Sequence, residues 1–521
     1  MNTKTIILDG SMLTPEDIER AVHDPKVKVQ ISPKAVEIAR RAKKFLDQEA
    51  DKKIIYGVNT GFGPMASHII GRSDVIALQE NLIRGHAMGM GEPLPQSYVL
   101  AAMIVRLNTL AKGHSGVSVA LLQHLELFIN HRIIPVVPEH GAVGTSGDLV
   151  QLAHIALALI GGGEAWHGGA RQSVSNILKK LRIAPHKLQP KEGLSLINGT
   201  SMMAGIASLA CMEAERLVSA SLRTGALSLE LVGAFDDAIS EELHKLRPHP
   251  GQQAVARILR ELLVSSRLLR NREAFQKKFL LENKAHVISE SVQEIYSLRC
   301  IPQVVGPVLD ILKKVKSEVV TEINSVTDNP VIDGPGKRFL HGGNFHGDYI
   351  AAGMDQLKAS LVKLTMLSER RINFFLNQNI NKYFPPMMNL KTPGLTMGLQ
   401  GLQFVATSTT SQSQTFAFPQ HVHSIPTNGD NQDIVSMGTD AALLTMRVIE
   451  NAYVVLTIEA LTLAQGVDFK KEQAKLSAAS RKFFEVIRRA IPTVREDRSL
   501  APELPRLSTA MREYDILKLF S

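Results

Sequence analysis

The chain has few of the residues on which several classes of protein depend. Its 521 residues include two cysteines, Cys211 and Cys300, which lie in apolar segments without CxxC or His-Cys spacing. This scarcity argues against a metal centre and against a disulfide or redox framework. Aromatic residues amount to 5% of the sequence. Binding to nucleic acid is therefore not expected, because stacking platforms need aromatic side chains interleaved with a basic stripe.

Neither sign of charge dominates, and no segment is depleted of apolar residues. The 59 Lys and Arg and the 50 Asp and Glu leave a net charge of +9, scattered in short clusters such as Lys179-Lys180 that we interpret as solvated faces. With 44% hydrophobic residues, the chain can bury a large core. Its start has too short an apolar run for a signal peptide, and Thr14 followed by Pro15 is typical of a helix N-cap. A cytoplasmic location is predicted.

Long helices are predicted from about residue 201 onward. Apolar residues recur at three- and four-residue spacing in the segments 201–232, 303–326, 349–376 and 436–465. The last segment approaches the length of a membrane span, but Arg447, Glu450 and Glu459 interrupt it and would be costly in lipid. We expect this segment to be buried in a helical bundle and the protein not to enter a membrane.

The first 200 residues differ from the rest in the length of their helical segments and in their glycine content. Shorter helical segments alternate there with glycine-rich loops, and loops on a rigid scaffold commonly carry chemistry. The pattern predicts an all-α fold with two regions. Residues 1–200 would form a loop-rich catalytic part, and residues 201–521 a long-helix bundle that supplies substrate-binding residues and oligomer contacts.

The loop from Pro138 to Leu149 contains Gly144-Thr145-Ser146-Gly147 and permits three local interpretations. A phosphate-binding loop would need the Walker lysine or a strand followed by GxGxxG, and both are missing. A serine hydrolase elbow would need GxSxG, but Asp148 follows the second glycine. Taken alone, the segment is typical of a glycine-rich turn that ends in a helix cap at Asp148.

The same segment resembles the electrophile loop of the histidine, phenylalanine and tyrosine ammonia-lyase family. In that loop a small residue, serine and glycine cyclise into a methylidene-imidazolone (MIO). The resemblance covers nearly the whole chain through separate motifs in family order. These motifs are Tyr56-Gly-Val-Asn-Thr-Gly-Phe-Gly63, Leu196-Ile-Asn-Gly-Thr200, Tyr296-Ser-Leu-Arg299, Thr327-Asp-Asn-Pro330, Gly342-Gly-Asn-Phe-His-Gly347 and Asn431-Gln432-Asp433.

The resemblance implies an MIO formed autocatalytically from Thr145-Ser146-Gly147, without a metal or nucleotide. The cyclisation needs an unhindered amide nitrogen at Gly147 and a tightly turned backbone, which glycine adopts at least cost. Thr145 departs from the alanine that is usual in the family. Its side chain stays outside the ring and removes no atom that the cyclisation uses. We therefore expect a functional electrophile.

The resemblance also assigns roles to residues outside this loop. It implies that Tyr56 and Tyr296 are catalytic, with Tyr56 removing the β-proton of the substrate, and that Asn198 lies beside the MIO. Arg299 would grip the substrate carboxylate, to which its planar guanidinium is suited. The implied substrate-binding residues are Gly85, His86, Leu149, Asn198, Arg299, Asn329, Phe345, Asn431 and Gln432.

Two positions bear on the choice of aromatic substrate. A histidine at His86 can bond to a phenolic hydroxyl or an imidazole but offers nothing to an unsubstituted phenyl ring. Histidine lyases typically carry glutamate where this chain has Gln432. The two residues together favour L-tyrosine, which would yield trans-p-coumarate as in bacterial tyrosine ammonia-lyases. L-histidine, which would yield urocanate, is the alternative.

The architecture that the resemblance implies is that of the histidase/fumarase-like superfamily. It also implies a homotetramer in which different subunits contribute to each active site. Two other functions stay open. An aminomutase of the same family would re-add ammonia at the β-carbon, and an inactive helical protein that binds an amino acid would retain the mass of the uncyclised chain.

Overall fold

A computed structural model describes residues 5–278, 287–288 and 290–520, and within these residues the protein is mainly helical. This confirms the predicted all-α class. The described α-helices are α1 Pro15–His23, α2 Pro33–Glu49, α3 Val75–His86, α4 Gln96–Ala111, α5 Val119–Asn130, α6 Leu149–Leu159, α7 Val174–Leu181, α8 Glu192–Ile197, α9 Ser201–Val232, α10 Glu241–Lys245, α11 Pro250–Leu263, α12 Arg272–Gln276, α13 Tyr296–Arg299, α14 Ile301–Ile323, α15 Asp348–Leu376, α16 Gln378–Asn381, α17 Gln400–Phe416, α18 Gly438–Lys470, α19 Ala478–Ala490 and α20 Leu504–Glu513.

Strands are few and short. They are β1 Thr5–Leu8, β2 Lys28–Ile31, β3 Met90–Pro93, β4 Ile134–Pro135, β5 Pro138–His140, β6 Glu164–His167, β7 Ala170–Ser173, β8 Val331–Asp333 and β9 Arg338–Leu340. Strands β1 and β2 pair in parallel, β4, β6 and β7 form an antiparallel three-stranded sheet, and the pairs β3–β5 and β8–β9 are antiparallel. The strands pin loops between helices and do not form a central sheet.

The four long helices predicted from hydrophobic periodicity correspond to α9, α14, α15 and α18. Helix α9 has the predicted bounds, and the other three differ by a few residues at their ends. The predicted N-cap is also present, because the Thr14 side chain accepts a hydrogen bond from the amide of Asp17 and Pro15 opens α1.

Helix α18 is long and apolar enough to cross a membrane by length and composition. Of its most apolar 18-residue window, however, 67% is buried inside the protein. Glu459 in this helix is fully buried and pairs with Arg371 of α15. These features match the helix buried in a bundle that the interrupting charges predicted. The cytoplasmic location stays a prediction.

The chain divides into two compact units, and each is built from segments that are distant in sequence. Unit 1 comprises residues 1–212, 315–355 and 419–444, and unit 2 comprises residues 213–314, 356–418 and 445–521. The predicted boundary at residue 200 lies near the end of the first segment of unit 1. Segments 315–355 and 419–444 return to unit 1, although both lie in the range predicted as the bundle region. The sequence carries no local signal for this return. The functional division stays a prediction.

Unit 1 is organised around a buried helix and a trio of helices that frame its largest loops. Helix α4 is buried at every position from Val99 to Ala111 and packs against α1, α2 and α5. Helices α3, α6 and α8 pack on one another. Each of these three helices begins or ends at a glycine-containing loop, so their packing fixes where those loops meet.

Unit 2 contains a buried ion pair between long helices. The Arg371 guanidinium on α15 contacts Glu459 on α18 with an Nη2–Oε2 distance of 3.1 Å, and both side chains are fully buried. Thr224 of α9 donates to the same carboxylate at 3.1 Å. Breaking such a pair is costly because it leaves an uncompensated buried charge, so the three helices are held in register.

Candidate active site

Unit 1 contains a cavity of about 580 Å³ in which most of the predicted site residues meet. Its lining combines side chains from the loop after α2, helix α3, the loop before α6, the end of α8 and the segment before α18. The predicted residues that line it are Tyr56, Gly85, His86, Thr145, Ser146, Leu149, Asn198, Asn329, Phe345, Asn431 and Gln432.

Three predicted residues do not line this cavity. Gly147 is buried. Tyr296 and Arg299 belong to unit 2, where the Tyr296 side chain is 72% exposed and the Arg299 guanidinium lies 4.7 Å from the centre of its ring. The cavity lining therefore includes neither Tyr296, implied to be catalytic, nor Arg299, implied to bind the substrate carboxylate. The predicted sharing of each site between subunits stays a prediction.

The backbone of residues 145–147 fits the ring that the resemblance implies. Gly147 has φ +70°, and a Cβ at this position would lie 1.9 Å from the carbonyl oxygen of Gly199. On either side of it, the Ser146 carbonyl accepts from the amide of Gly199 at 3.0 Å and the Asp148 amide donates to the Gly199 carbonyl at 2.8 Å. Within the described residues the amide nitrogen of Gly147 donates no such bond. The amides of Thr145 and Ser146 likewise donate no backbone bond among the described residues, so the turn is held through the Ser146 carbonyl and the Asp148 amide.

Gly144 adds a second tight approach in the same loop. Its φ is +79°, and a Cβ there would lie 2.0 Å from the Ser436 hydroxyl oxygen. Ser436 donates to the Gly144 carbonyl at 3.0 Å. The Thr145 hydroxyl is buried and has no hydrogen-bond partner in the described part of the chain. The close approaches at Gly144 and Gly147 and the bond from Ser436 thus fix the position of the loop.

Asp148 has a different role from the helix cap that its position suggests. It makes no side-chain bond to the start of α6. Its carboxylate accepts from the amides of Met202 and Met203 at 2.8 and 3.0 Å, and from the Thr439 hydroxyl, so it caps α9. The carboxyl is fully buried, and this desolvation raises its pKa to about 6 although these bonds oppose the rise.

The raised pKa of Asp148 predicts a pH-dependent stability. The folded state holds the proton between the unfolded pKa near 4 and the folded pKa of about 6, so the free energy of unfolding falls as pH rises through this window. Relative to Asp148→Asn, wild-type protein should lose about 2 kcal/mol between pH 4.5 and pH 7. Urea unfolding at both pH values measures this difference. Parallel pH dependence in the two proteins would contradict it.

Tyr56 lies in a loop whose hydrogen bonds fix its hydroxyl. The amide of Gly63 donates to the Tyr56 hydroxyl oxygen at 3.0 Å. The buried carboxamide of Gln79 holds the same loop, donating to the Gly57 carbonyl at 3.0 Å and accepting from the Leu194 amide at 3.1 Å. A backbone N–H aimed at the phenol oxygen stabilises negative charge there. This arrangement favours Tyr56 as a base.

His86 closes α3 at the cavity. Its Nδ1 lies 2.8 Å from the Leu82 carbonyl oxygen, which can only accept, so Nδ1 carries a proton. In the neutral ring Nε2 is then an acceptor. A substrate ring that donates a hydrogen bond, from a phenol hydroxyl or an imidazole N–H, matches this atom.

Gln432 connects the segment before α18 to the Ser146 loop. Its Nε2 donates to the Ser146 hydroxyl oxygen at 3.0 Å, and its Oε1 accepts from the Thr427 hydroxyl at 2.9 Å. The backbones of Thr427 and Gln432 also bond to each other, which closes a short hairpin. Gln432 therefore reaches a residue 286 positions away and holds it in place.

Several lining residues were not predicted. The main apolar ones are Phe62, Met65, Leu78, Leu82, Leu194 and Ile434, and the polar ones are Asn81, His346, Asn428 and Asp433. Asn428 occupies φ +57° at the start of Asn428-Gly429-Asp430, a turn signal that could have located it. His346 adjoins Phe345, and its Nδ1 lies 2.9 Å from Asp348. The apolar residues gave no local signal, because any helix buries such side chains.

The chain is similar in sequence and in fold to known enzymes. The family model described as aromatic amino acid lyase matches residues 13–489. The histidine ammonia-lyase of Bacillus velezensis is 37% identical over 513 residues, which cover 98% of this chain and 96% of that relative. The solved structure of the tyrosine aminomutase from Streptomyces globisporus is similar with a TM-score of 0.94 at 35% identity, covering 99% of this chain and 98% of that one.

A second solved structure is also similar to this chain. The solved structure of histidine ammonia-lyase from Trypanosoma cruzi is similar with a TM-score of 0.89 at 30% identity, and the match covers 99% of this chain and 94% of that chain. All of these matches run through the segments that line the cavity. The chain therefore belongs to the aromatic amino acid lyase family and is a carbon–nitrogen lyase.

Proposed function

We propose that this enzyme eliminates ammonia from an aromatic L-amino acid whose ring donates a hydrogen bond, with L-histidine as the first candidate and urocanate as its product. The observation that carries the proposal is the meeting of Tyr56, His86 and Ser146 in one cavity of about 580 Å³. The curated relatives at 36–38% identity are named histidine ammonia-lyases, including one called probable. They do not support the preference for L-tyrosine that we predicted from His86 and Gln432.

Thr145, Ser146 and Gly147 would form the MIO, which when present supplies an electrophile that makes the amino group a good leaving group. Tyr56 takes the β-proton, and the Gly63 amide stabilises the charge that develops on its oxygen. Before the ring forms, Gln432 holds the loop through the Ser146 hydroxyl, and Asn198 lines the cavity beside it. The substrate leaves as an α,β-unsaturated acid after losing the β-proton and ammonia.

His86 and Asp433 suit an imidazole ring. With Nδ1 engaged by Leu82, His86 presents Nε2 to one ring N–H of the substrate. Asp433 lines the same cavity and is the carboxylate nearest in sequence to Gln432, where we noted that histidine lyases carry glutamate. It offers an acceptor to the second ring nitrogen of a protonated imidazole.

L-tyrosine is the second candidate, and one observation favours it. Position 432 carries a neutral carboxamide whose oxygen accepts from Thr427, so no carboxylate stands there to pair with a protonated imidazole. A phenol hydroxyl needs one acceptor, which His86 provides. In addition, one of the similar solved structures is that of a tyrosine aminomutase.

A complete site would need a second copy of the chain. Arg299 carries a buried Nε without a partner among the described residues, and Tyr296 beside it is 72% exposed. Both belong to unit 2, whereas the cavity belongs to unit 1. A homotetramer in which another subunit supplies the carboxylate-binding arginine accounts for both facts.

Turnover of three amino acids tests the proposal. Purified enzyme is incubated separately with L-histidine, L-tyrosine and L-phenylalanine, and ammonia and the unsaturated acid are measured together. We expect urocanate with the highest kcat/KM and phenylalanine as the poorest substrate, because it gives His86 nothing to accept. Dominant coumarate would replace histidine with tyrosine, a β-amino acid product would indicate an aminomutase, and no ammonia from any substrate would refute the lyase.

A further inference from the structure

Three charged side chains are buried together behind the cavity, and we call them the Asp328 cluster: Arg106, Lys191 and Asp328. Each is at most 1% exposed. The Lys191 Nζ donates to Asp328 Oδ2 at 2.8 Å, and burial of the carboxyl is outweighed by the two cations, which hold the pKa of Asp328 below its usual value. Buried ion groups rarely add net stability over an apolar replacement, so a role other than stability is indicated.

The cluster is bonded to residues of the cavity wall. Asp328 Oδ1 accepts from Asn198 Nδ2 at 3.0 Å and from the amide of Asn329 at 2.7 Å. Arg106 donates to the carbonyl oxygens of Asn198, at 2.7 Å, and of Ser195. Lys191 donates to the Ser195 hydroxyl at 2.9 Å. The main chain and the side chain of Asn198 are therefore both held from behind.

The chemistry of these groups fixes which end of the Asn198 carboxamide faces the cavity. An ionised carboxylate only accepts hydrogen bonds, so the atom of Asn198 beside Asp328 must be the amide nitrogen. Asn198 Oδ1 accepts no hydrogen bond from the described residues, and Asn198 lines the cavity. The oxygen is left as a free acceptor next to the Ser146 loop, since the following residue, Gly199, donates its amide to the Ser146 carbonyl.

We propose that Asp328 is a positioning residue, which keeps the Asn198 carboxamide oxygen turned to the cavity so that it accepts a hydrogen bond from the amino group of the substrate. This inference rests on the proposed function. The amino group is the donor that every α-amino acid carries, and it must sit beside the Ser146 loop to be eliminated. Asn198 thus orients the leaving group, and Asp328 acts through Asn198.

Replacing Asp328 with asparagine should reverse the orientation of Asn198. The new carboxamide has one oxygen for three donors, the Lys191 ammonium, the Asn329 amide and Asn198 Nδ2. The charged ammonium takes this oxygen, the Asn329 amide loses its partner, and the new NH2 group faces Asn198. Asn198 must turn its own oxygen away from the cavity. We expect kcat to fall about 100-fold, as for a misplaced reacting group, while KM changes much less.

A second substitution should restore activity. In Asp328→Asn combined with Lys191→Met, the ammonium no longer takes the carboxamide oxygen. The Asn329 amide and Asn198 Nδ2 can then share this oxygen as they share Asp328 Oδ1 in the wild type. We expect kcat about 10-fold above that of Asp328→Asn alone. The double variant also removes the buried cation that bonds to Asp328 along with the anion, while Arg106 stays, so it gives a test even if Asp328→Asn does not fold. In that case kcat within about 10-fold of wild type is the expected result.

Glu459→Gln in unit 2 is the matched control, because it removes a fully buried carboxylate from a pair with Arg371. It should lower the unfolding temperature and leave kcat within about two-fold of wild type. The intact mass of every variant reports whether the two waters of the cyclisation have been lost. Activity losses are compared only between cyclised, folded proteins.

Three results would overturn the inference. These are a folded, cyclised Asp328→Asn protein with kcat within two-fold of wild type, a double variant no better than Asp328→Asn, or an Asp328→Asn protein that keeps the two waters and so loses turnover for lack of the electrophile. Wild-type enzyme that releases no ammonia would overturn the proposed function as well, which separates the two failures.

Discussion

Ser146→Ala is expected to abolish ammonia release from every amino acid substrate. The ring needs the serine hydroxyl as a leaving group, and alanine has none, so no methylidene can form. Ordinary side chains supply no comparable electrophile, and we expect a loss of turnover of at least about 10⁴-fold. Ammonia release by equal amounts of folded protein measures it. Residual turnover above 1% of wild type would contradict the role of Ser146.

A matched serine controls for the loss of a hydroxyl. Ser208 is fully buried in α9 of unit 1 and donates to the Ala204 carbonyl at 2.8 Å, without lining the cavity. Ser208→Ala should keep the ring and near-normal turnover, and lose about 1 kcal/mol of stability. Equal inactivity of the two variants would assign the effect of Ser146→Ala to misfolding.

Tyr56→Phe should lower kcat by about 10²–10⁴-fold and leave the ring intact. Phenylalanine keeps the edge-to-face contact with Phe62, whose ring centre lies 6.2 Å from that of Tyr56, so the cavity keeps its shape. What it loses is the oxygen that Gly63 stabilises and that takes the β-proton. Steady-state kinetics measures the loss of the base, and calorimetry of product binding reports whether the cavity keeps its shape. Product binding should change little.

The control for this substitution lies in unit 2. Tyr514 packs its ring against the Arg223 guanidinium at 4.5 Å, and a phenylalanine ring preserves that contact. Tyr514→Phe should have normal kcat. If Tyr56→Phe formed the ring, bound product and still turned over at near-normal rate, another group would have to be the base.

Much of the helical architecture could be predicted from periodicity where the helices are long. Segment 201–232 was predicted with its observed bounds because apolar residues recur along it with helical spacing. Helix α4, with 16 residues against the 32 of α9, was not singled out, because its apolar run is too short to show a sustained period. The strands were too short to show alternation.

The candidate site could be predicted from motifs and not from local physics. Nothing in the chain near Gln432 indicates that its side chain reaches Ser146, 286 positions earlier. Asp148 looks like the cap of α6 because capping signals are local, yet its partners are the amides that begin α9. The Asp328 cluster was not predicted, because charged residues are expected at the surface unless a buried partner is known.

The substrate depends on contacts that a motif does not describe. His86 accepts from a phenol as readily as from an imidazole, and the side-chain oxygen of Gln432 is already engaged with Thr427. Our prediction of L-tyrosine depends chiefly on His86 and on the glutamine at position 432. The curated relatives favour L-histidine, and Asp433 in the same cavity offers the acceptor that Gln432 does not. The three-substrate assay decides between them.

The central claim is that residues 145–147 become the electrophile of this enzyme, and the mass of the purified intact chain tests it most directly. Cyclisation removes one water and loss of the Ser146 hydroxyl removes a second. We predict a wild-type chain lighter than its sequence mass by two waters, and a Ser146→Ala chain without the second loss. A wild-type chain at its full sequence mass, folded and releasing ammonia, would contradict the account.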